Sequence, residues 1–467
     1  MVAAAVLGCQ SILAEPRPSG PQVDGDFRKV ILDSDREING VLEDTLKDPM
    51  ELAVAQDGRV FYIQRDGTIK LWKPATRTTV VIGQIPVFTG LEDGLLGLAL
   101  DPHFLRNGWI YLYHSLPETT LDAHGKKAGQ NVISRFTVAG DRLDPASEKV
   151  LLRVRTQREQ CCHSGGALAF DAHGNLYSSA GDNTNPFASD GFAPLDERPG
   201  RSPWDSQKSA SNPNDLRGKI NRIHPEPDGS CTIPPGNLFP PGTPGTRPEI
   251  YIMGCRNPFR ISLDPRNGYL YWGEVGPDAG GPNPERGPAG FDEINQARVA
   301  GNFGWPYFIA DNRPYHHYDF ATGKSGPAYD PAHPVNDSPN NTGAKLLPPA
   351  QPAFIYYTYG LSTRFPVVNG GGGRTAMAGP VYYFDSSLAS PHKLPRRYDH
   401  TLFIYEWSRN WIVAVRLDAH DHIARRPNGA LDMERFCPHM TFKRPIDLEM
   451  GPDGCLYVIE FGSAWGN

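Results

Sequence analysis

The sequence predicts an all-β fold in which many short hairpins pack around a common centre, as in a propeller. Three observations predict it. An apolar run with period-two alternation, a turn of Asp, Pro or Gly, and a second run rich in Tyr, Val and Ile recur along the whole chain. Glycine (49) and proline (45) lie between these runs and not in one block, so they mark turns. No long amphipathic helical period interrupts the pattern, which disfavours an alternating α/β architecture. A hairpin of this kind cannot bury its apolar face alone. Copies spread over 467 residues, with further strands between them, therefore pack radially more naturally than as a sandwich.

The first hairpin runs over residues 50–54, turns at Gln56, Asp57 and Gly58, and returns over 60–63. The second runs over 96–100, turns at Asp101 and Pro102, and returns over 109–113. Later copies run over 167–177 around Gly174, 261–272 around Gly268, and 446–459 around Asp453 and Gly454. Three polar, turn-rich stretches separate them, at 183–215, 278–290 and 310–352. Long loops in a compact domain often carry function, and these are read as the rim of a top-face cleft.

Composition narrows the function. An apolar share of 39% with 21% charged residues supports a substantial core. A net charge of −6 without a basic stripe repels a phosphate backbone, so no nucleic-acid partner is expected. No stretch is long and apolar enough to span a bilayer. Residues 1–20 read as a truncated signal or lipoprotein leader, with Leu7, Gly8 and Cys9 resembling a lipidation site and Cys9 the candidate anchor. Residues 21–467 are then a single propeller domain, exported to the periplasm or the extracellular space. Seven cysteines leave six if Cys9 is lipidated, and the absence of any C-x-x-C pair argues against structural zinc. Cys161 and Cys162 are adjacent; a vicinal disulfide and a pair of buried thiols are the two readings.

Ordered motifs run through most of the chain. Asp93-Gly94-Leu95-Leu96-Gly97 leads to Asp101-Pro102-His103-Phe104. His163-Ser164-Gly165-Gly166 follows, then Gly181-Asp182, Arg217-Gly218-Lys219-Ile220 and Gly254-Cys255-Arg256-Asn257-Pro258. Gly276-Pro277, Asp292-Glu293-Ile294-Asn295 and Gly301-Asn302-Phe303-Gly304-Trp305-Pro306 complete the series. In content and order this resembles the soluble glucose/sorbosone dehydrogenases. The resemblance implies a six-bladed β-propeller with long top-face loops. It would bind pyrroloquinoline quinone (PQQ) with calcium, oxidise the anomeric hydroxyl of a sugar to a lactone, and pass electrons to an external acceptor that the sequence does not identify.

The residue types suit that chemistry. Alcohol oxidation needs a base for the hydroxyl proton and a cofactor to take the hydride, because no side chain accepts hydride well. His163 is the candidate base, an imidazole beside glycines that leave a ligand room to approach. Arg256, fixed beside the Asn257-Pro258 turn, can stabilise an oxyanion on the quinone. By the family pattern Asn257 contacts the cofactor, Arg409 meets a quinone carboxylate, and Glu92 stands where the family has glutamine. Gly276 and Pro277 match the pair whose carbonyls bind calcium, with Asp292 and Glu293 holding the water shell of the ion. The chain departs from the pattern further in having Cys162 for the acid before the base and, in the alignment, Phe384 for a cofactor-binding lysine. Two alternative functions are a calcium-dependent, lactonase-like propeller hydrolase and a non-catalytic propeller that binds carbohydrate or protein.

Overall fold

The computed structural model describes residues 23–38, 41–44 and 46–462. The expected leader and its anchor at Cys9 lie outside the described residues. Strands β1 to β4 (Pro49–Val54, Val60–Gln64, Thr68–Lys73, Thr78–Gln84) form one antiparallel sheet. The second contains β5 to β8 (Leu95–Leu100, Trp109–Ser115, Lys127–Ala139, Arg142–Gln157), and the third β9 to β12 (Gly165–Phe170, Leu176–Ala180, Lys219–Pro225, Ile250–Met253). The fourth contains β13 to β16 (Pro258–Leu263, Leu270–Glu274, Asp292–Ala297, Ile355–Tyr357), and the fifth β17 to β20 (Ala376–Tyr382, Thr401–Glu406, Trp411–Arg416, Met433–Arg435). A final hairpin pairs β21 (Pro445–Met450) with β22 (Leu456–Glu460). Helix is confined among the described residues to one four-residue α-turn and short 3-10 turns.

The first strand of each sheet lies innermost. Strands β1, β5, β9, β13, β17 and β21 touch in that order, and β21 returns to β1. The ring is closed, as a propeller requires. Its inner strands read as nearly unbroken small apolar residues, Leu-Leu-Gly-Leu-Ala-Leu in β5 and Gly-Gly-Ala-Leu-Ala-Phe in β9, because neighbours cover both faces. Gly97 meets a steric demand here. A Cβ at this position would come 1.9 Å from the Gly166 carbonyl oxygen of the next inner strand.

Six complete blades are not formed among the described residues. Among the described residues five sheets have four or more strands, and the sixth position holds only the β21–β22 hairpin. Side chains replace its missing outer strands: Leu32 and Leu46 join Tyr457 and Ile459 in a cluster with Leu52, Val60 and Tyr62 of the first blade. Arg260 of β13 is buried in the ring and braces this junction. It donates from Nη2 to the Met50 carbonyl at 2.6 Å and from Nε to the Ile446 carbonyl at 3.0 Å, with Asp447 3.7 Å away.

The rim loops are ordered. Residues 308–328 contain two short antiparallel pairings, Phe308–Ile309 with Arg313–Pro314 and His316–Asp319 with Lys324–Ala328. In the 183–218 stretch, Lys208 donates to the Asn183 carbonyl and the Thr184 hydroxyl, while Lys219 donates to the Ser209, Ala210 and Arg217 carbonyls. Burial pulls both ammonium groups down to about 7. These lysines act as internal staples for backbone carbonyls that no strand partner satisfies.

Candidate active site

The segments leading into the inner strands meet at one end of the ring, and strand register brings their side chains together. Gly165 of β9 pairs with Ala180 of β10, so His163, just before β9, faces Asp182, just after β10. The His163 Nδ1 lies 2.8 Å from Asp182 Oδ1, and both residues are buried. A carboxylate only accepts hydrogen bonds, so Nδ1 carries the proton and the Nε2 lone pair is free. The other oxygen of Asp182 accepts from Ser206 Oγ at 2.7 Å and Trp305 Nε1 at 2.9 Å. Burial works to raise this carboxyl, but His163, Arg256 and the Trp305 N–H outweigh it, and its pKa lies below the ordinary carboxylate range. It remains ionised beside the imidazole. Glu92 holds the same segment from the other side, its carboxylate accepting the Ser164 N–H at 3.2 Å.

Arg256 and Asn257 occupy the turn between β12 and β13. The Asp182 N–H donates to the Arg256 carbonyl at 2.8 Å, joining this turn to the His–Asp pair. Glu274, at the end of β14, accepts both the Arg256 and Asn257 backbone N–H groups through Oε1 and Trp272 Nε1 through Oε2. The Arg256 guanidinium donates to the Val275 carbonyl at 2.7 Å and faces Trp305 at 5.9 Å from the ring centre. The Asn257 Oδ1 is buried without a hydrogen-bond partner.

Burial, reinforced by Glu293, pushes the Glu274 carboxyl up to about 8. In the unfolded chain it titrates near the ordinary glutamate value. The native state therefore holds the extra proton, and stability falls as pH rises from about 4.5 towards 8. Glu274→Gln is expected to flatten that decline by up to about 1.4 kcal/mol per pH unit, measured as denaturant midpoints between pH 5 and 8.

Of the four residues expected to serve calcium, Asp292 and Glu293 turn to different partners. Asp292 and Glu293 are consecutive on β15 and point to opposite faces of the sheet. Glu293 turns to the Asn295 amide and the Ala310 N–H. Asp292 accepts the Gly276 N–H at 3.1 Å and the Ala376 N–H at 2.8 Å, and lies 3.2 Å from Nη1 of Arg374. The Pro277 carbonyl accepts Nη2 of the same guanidinium at 2.6 Å. Arg374, absent from the sequence reading, thus stands at the centre of the expected ion site. Its Nε and Nη1 have no acceptor in hydrogen-bond geometry.

Two further residues singled out by the resemblance are placed as follows. Arg409 is not held out to a ligand: Nε, Nη1 and Nη2 donate to the Gly373, Val368 and Thr358 carbonyls, each at 2.9 Å. It ties the 358–373 loop to β18. Phe384 lies beyond the far end of the seven-residue strand β17, under Lys393 and Arg396, whereas Arg374 precedes its near end. The two positions are about 30 Å apart along an extended chain. Of the cysteines, Cys161 and Cys162 are disulfide-bonded beside His163, and Cys231, Cys255, Cys437 and Cys455 are free.

Comparison with known proteins identifies the family. The family model described as Glucose / Sorbosone dehydrogenase matches residues 46–347. The chain is 27% identical over 268 residues to the aldose sugar dehydrogenase YliI of Escherichia coli (strain K12), covering 57% of this chain and 61% of that protein. It is 26% identical over 328 residues to quinoprotein glucose dehydrogenase B of Acinetobacter calcoaceticus, covering 66% and 63%. The matches thus span about three-fifths of the length of these relatives. The PQQ-bound aldose sugar dehydrogenase of Streptomyces coelicolor shares the fold, with a TM-score of 0.53 over 90% of this chain and 92% of that one at 18% identity. With its family match covering well over half the sequence, the chain belongs to the glucose/sorbosone dehydrogenase family.

Proposed function

We propose that this protein oxidises a sugar or polyol hydroxyl, an aldose to its lactone, with PQQ as the acceptor. The observation that carries the reading is the His163–Asp182 pair beside two buried guanidinium groups, Arg256 and Arg374, the second with two nitrogens that make no hydrogen bond. Arg256, Arg374 and the unpartnered Asn257 Oδ1 suit a planar, polyanionic ligand bearing carbonyl and carboxylate oxygens. PQQ, when bound, supplies the two-electron acceptor that no side chain can provide. The protein contributes the rest. His163 Nε2 takes the hydroxyl proton, and Asp182 fixes the tautomer and stabilises the imidazolium formed. Arg256 and Arg374 hold anionic oxygens of the ligand, and Trp305 and Tyr359 wall the site. Glu92 positions the His163 segment.

The same reading favours export to an oxidising compartment, supported by the vicinal disulfide. The calcium-dependent hydrolase loses support because the carbonyl meant for the metal is occupied by Arg374.

The test is an absorbance titration of purified protein with PQQ, followed by a panel of aldoses. A bound-quinone band that bleaches with a sugar is the expected result. Absence of any bound-quinone band would turn the reading to a binding propeller.

A further inference from the structure

Beyond that reading, we infer that the cation at the Pro277 carbonyl and the Asp292 carboxylate is the guanidinium of Arg374, and that this chain binds no calcium there. A calcium ion takes six to eight oxygen ligands at about 2.3–2.6 Å. Nη2 of Arg374, 2.6 Å from the Pro277 oxygen, already takes one position at that distance. The Asp292 carboxylate, which would have to serve the ion, already faces Gly276 N–H, Ala376 N–H and Nη1 of Arg374. Asp278 is the other anion present, with Oδ1 4.0 Å from Nη2.

The surroundings are shaped to the guanidinium. Its side chain is 1% exposed. The Tyr359 ring stacks 4.0 Å from Cζ, and the Tyr359 hydroxyl is fixed by Asp278 Oδ1 at 3.0 Å. Residue 290 is glycine, where a Cβ would come 1.7 Å from the Pro277 oxygen and 3.1 Å from Nη2. Arginine supplies a permanent positive charge and planar N–H donors without an exchangeable ion. Nε and Nη1 are buried and make no hydrogen bond, with Nη1 facing the Asp292 carboxylate at 3.2 Å.

The inference rests on the proposed function only for the role of Arg374 towards a ligand, and its test needs neither quinone nor sugar. Chelator-treated full-length protein is titrated with calcium chloride by calorimetry and thermal shift, alongside Asp292→Asn and Arg374→Gln. The expected result is no calcium response removable by Asp292→Asn in the wild type. Arg374→Gln, which leaves Asp292 without its counter-charge, gains a calcium-dependent rise of a few degrees. A stoichiometric calcium response in the wild type that Asp292→Asn abolishes would overturn the inference. So would an Arg374→Gln protein that folds but remains silent, because a site vacated by its cation should accept another. If Arg374→Gln does not fold, the wild-type and Asp292→Asn titrations still decide.

Discussion

Replacing His163 with alanine is expected to lower kcat for aldose oxidation by about 10²–10⁴-fold while quinone binding is retained. The loss follows from the proton inventory. The imidazole has one nitrogen committed to Asp182 and one free, so it is the group able to take the hydroxyl proton. Asp182→Asn should cost a similar factor by a different route. Asp182 accepts at both oxygens, from His163 on one side and from Ser206 and Trp305 on the other. An amide can accept on only one of these sides, so either the tautomer of His163 or the seat of Trp305 is lost. Steady-state rates with the quinone bound, together with the pH profile, check this. Unchanged kcat in both variants would remove His163 as the base. In His163→Ala the limb of the profile that belongs to the base should vanish.

Arg260→Met carries the largest expected effect on stability, about 3–5 kcal/mol. The arginine is enclosed where the first, fourth and sixth positions of the ring meet, and its removal leaves the Met50 and Ile446 carbonyls and the Asp447 carboxylate without their cation. Burial pushes Glu51 and Asp447 up in the native protein, against the pull of Arg260. Without that pull both carboxyls must remain protonated in the fold while ionising freely in the unfolded chain. The penalty should therefore be larger at pH 8 than at pH 5. Urea midpoints at the two pH values measure it, and equal losses at both would mean that the carboxyls are held by something other than Arg260.

Much of the fold is legible in the sequence because propeller hairpins are local. Alternation, a tight turn and a second run lie within about twenty residues, and all five marked hairpins are inner-strand pairs. The blade count is less legible, because outer strands are defined by what they pair with and the sixth hairpin is covered by side chains. His163 and Arg256 are readable from their turns. Asp182 is present in the motif series but its role is not, since a contact nineteen residues away depends on the register of β9 against β10. Arg374 follows a run of glycines with no periodic signal. A solitary arginine such as Arg409 does not reveal that it has backbone carbonyls of a distant loop as acceptors. Lys208, and the internal role of Lys219, are missed because lysine is ordinarily a surface residue.

The bond between Cys161 and Cys162 immediately precedes the base, and so it bears on how the protein is made. Material recovered from a reducing cytosol, or kept in thiol-containing buffer, carries two sulfhydryls at this place and is two hydrogens heavier. Such a preparation is a different molecule in the segment that aims His163 at Asp182. The choice of host compartment and storage buffer therefore belongs among the controlled variables of any rate measured on this protein.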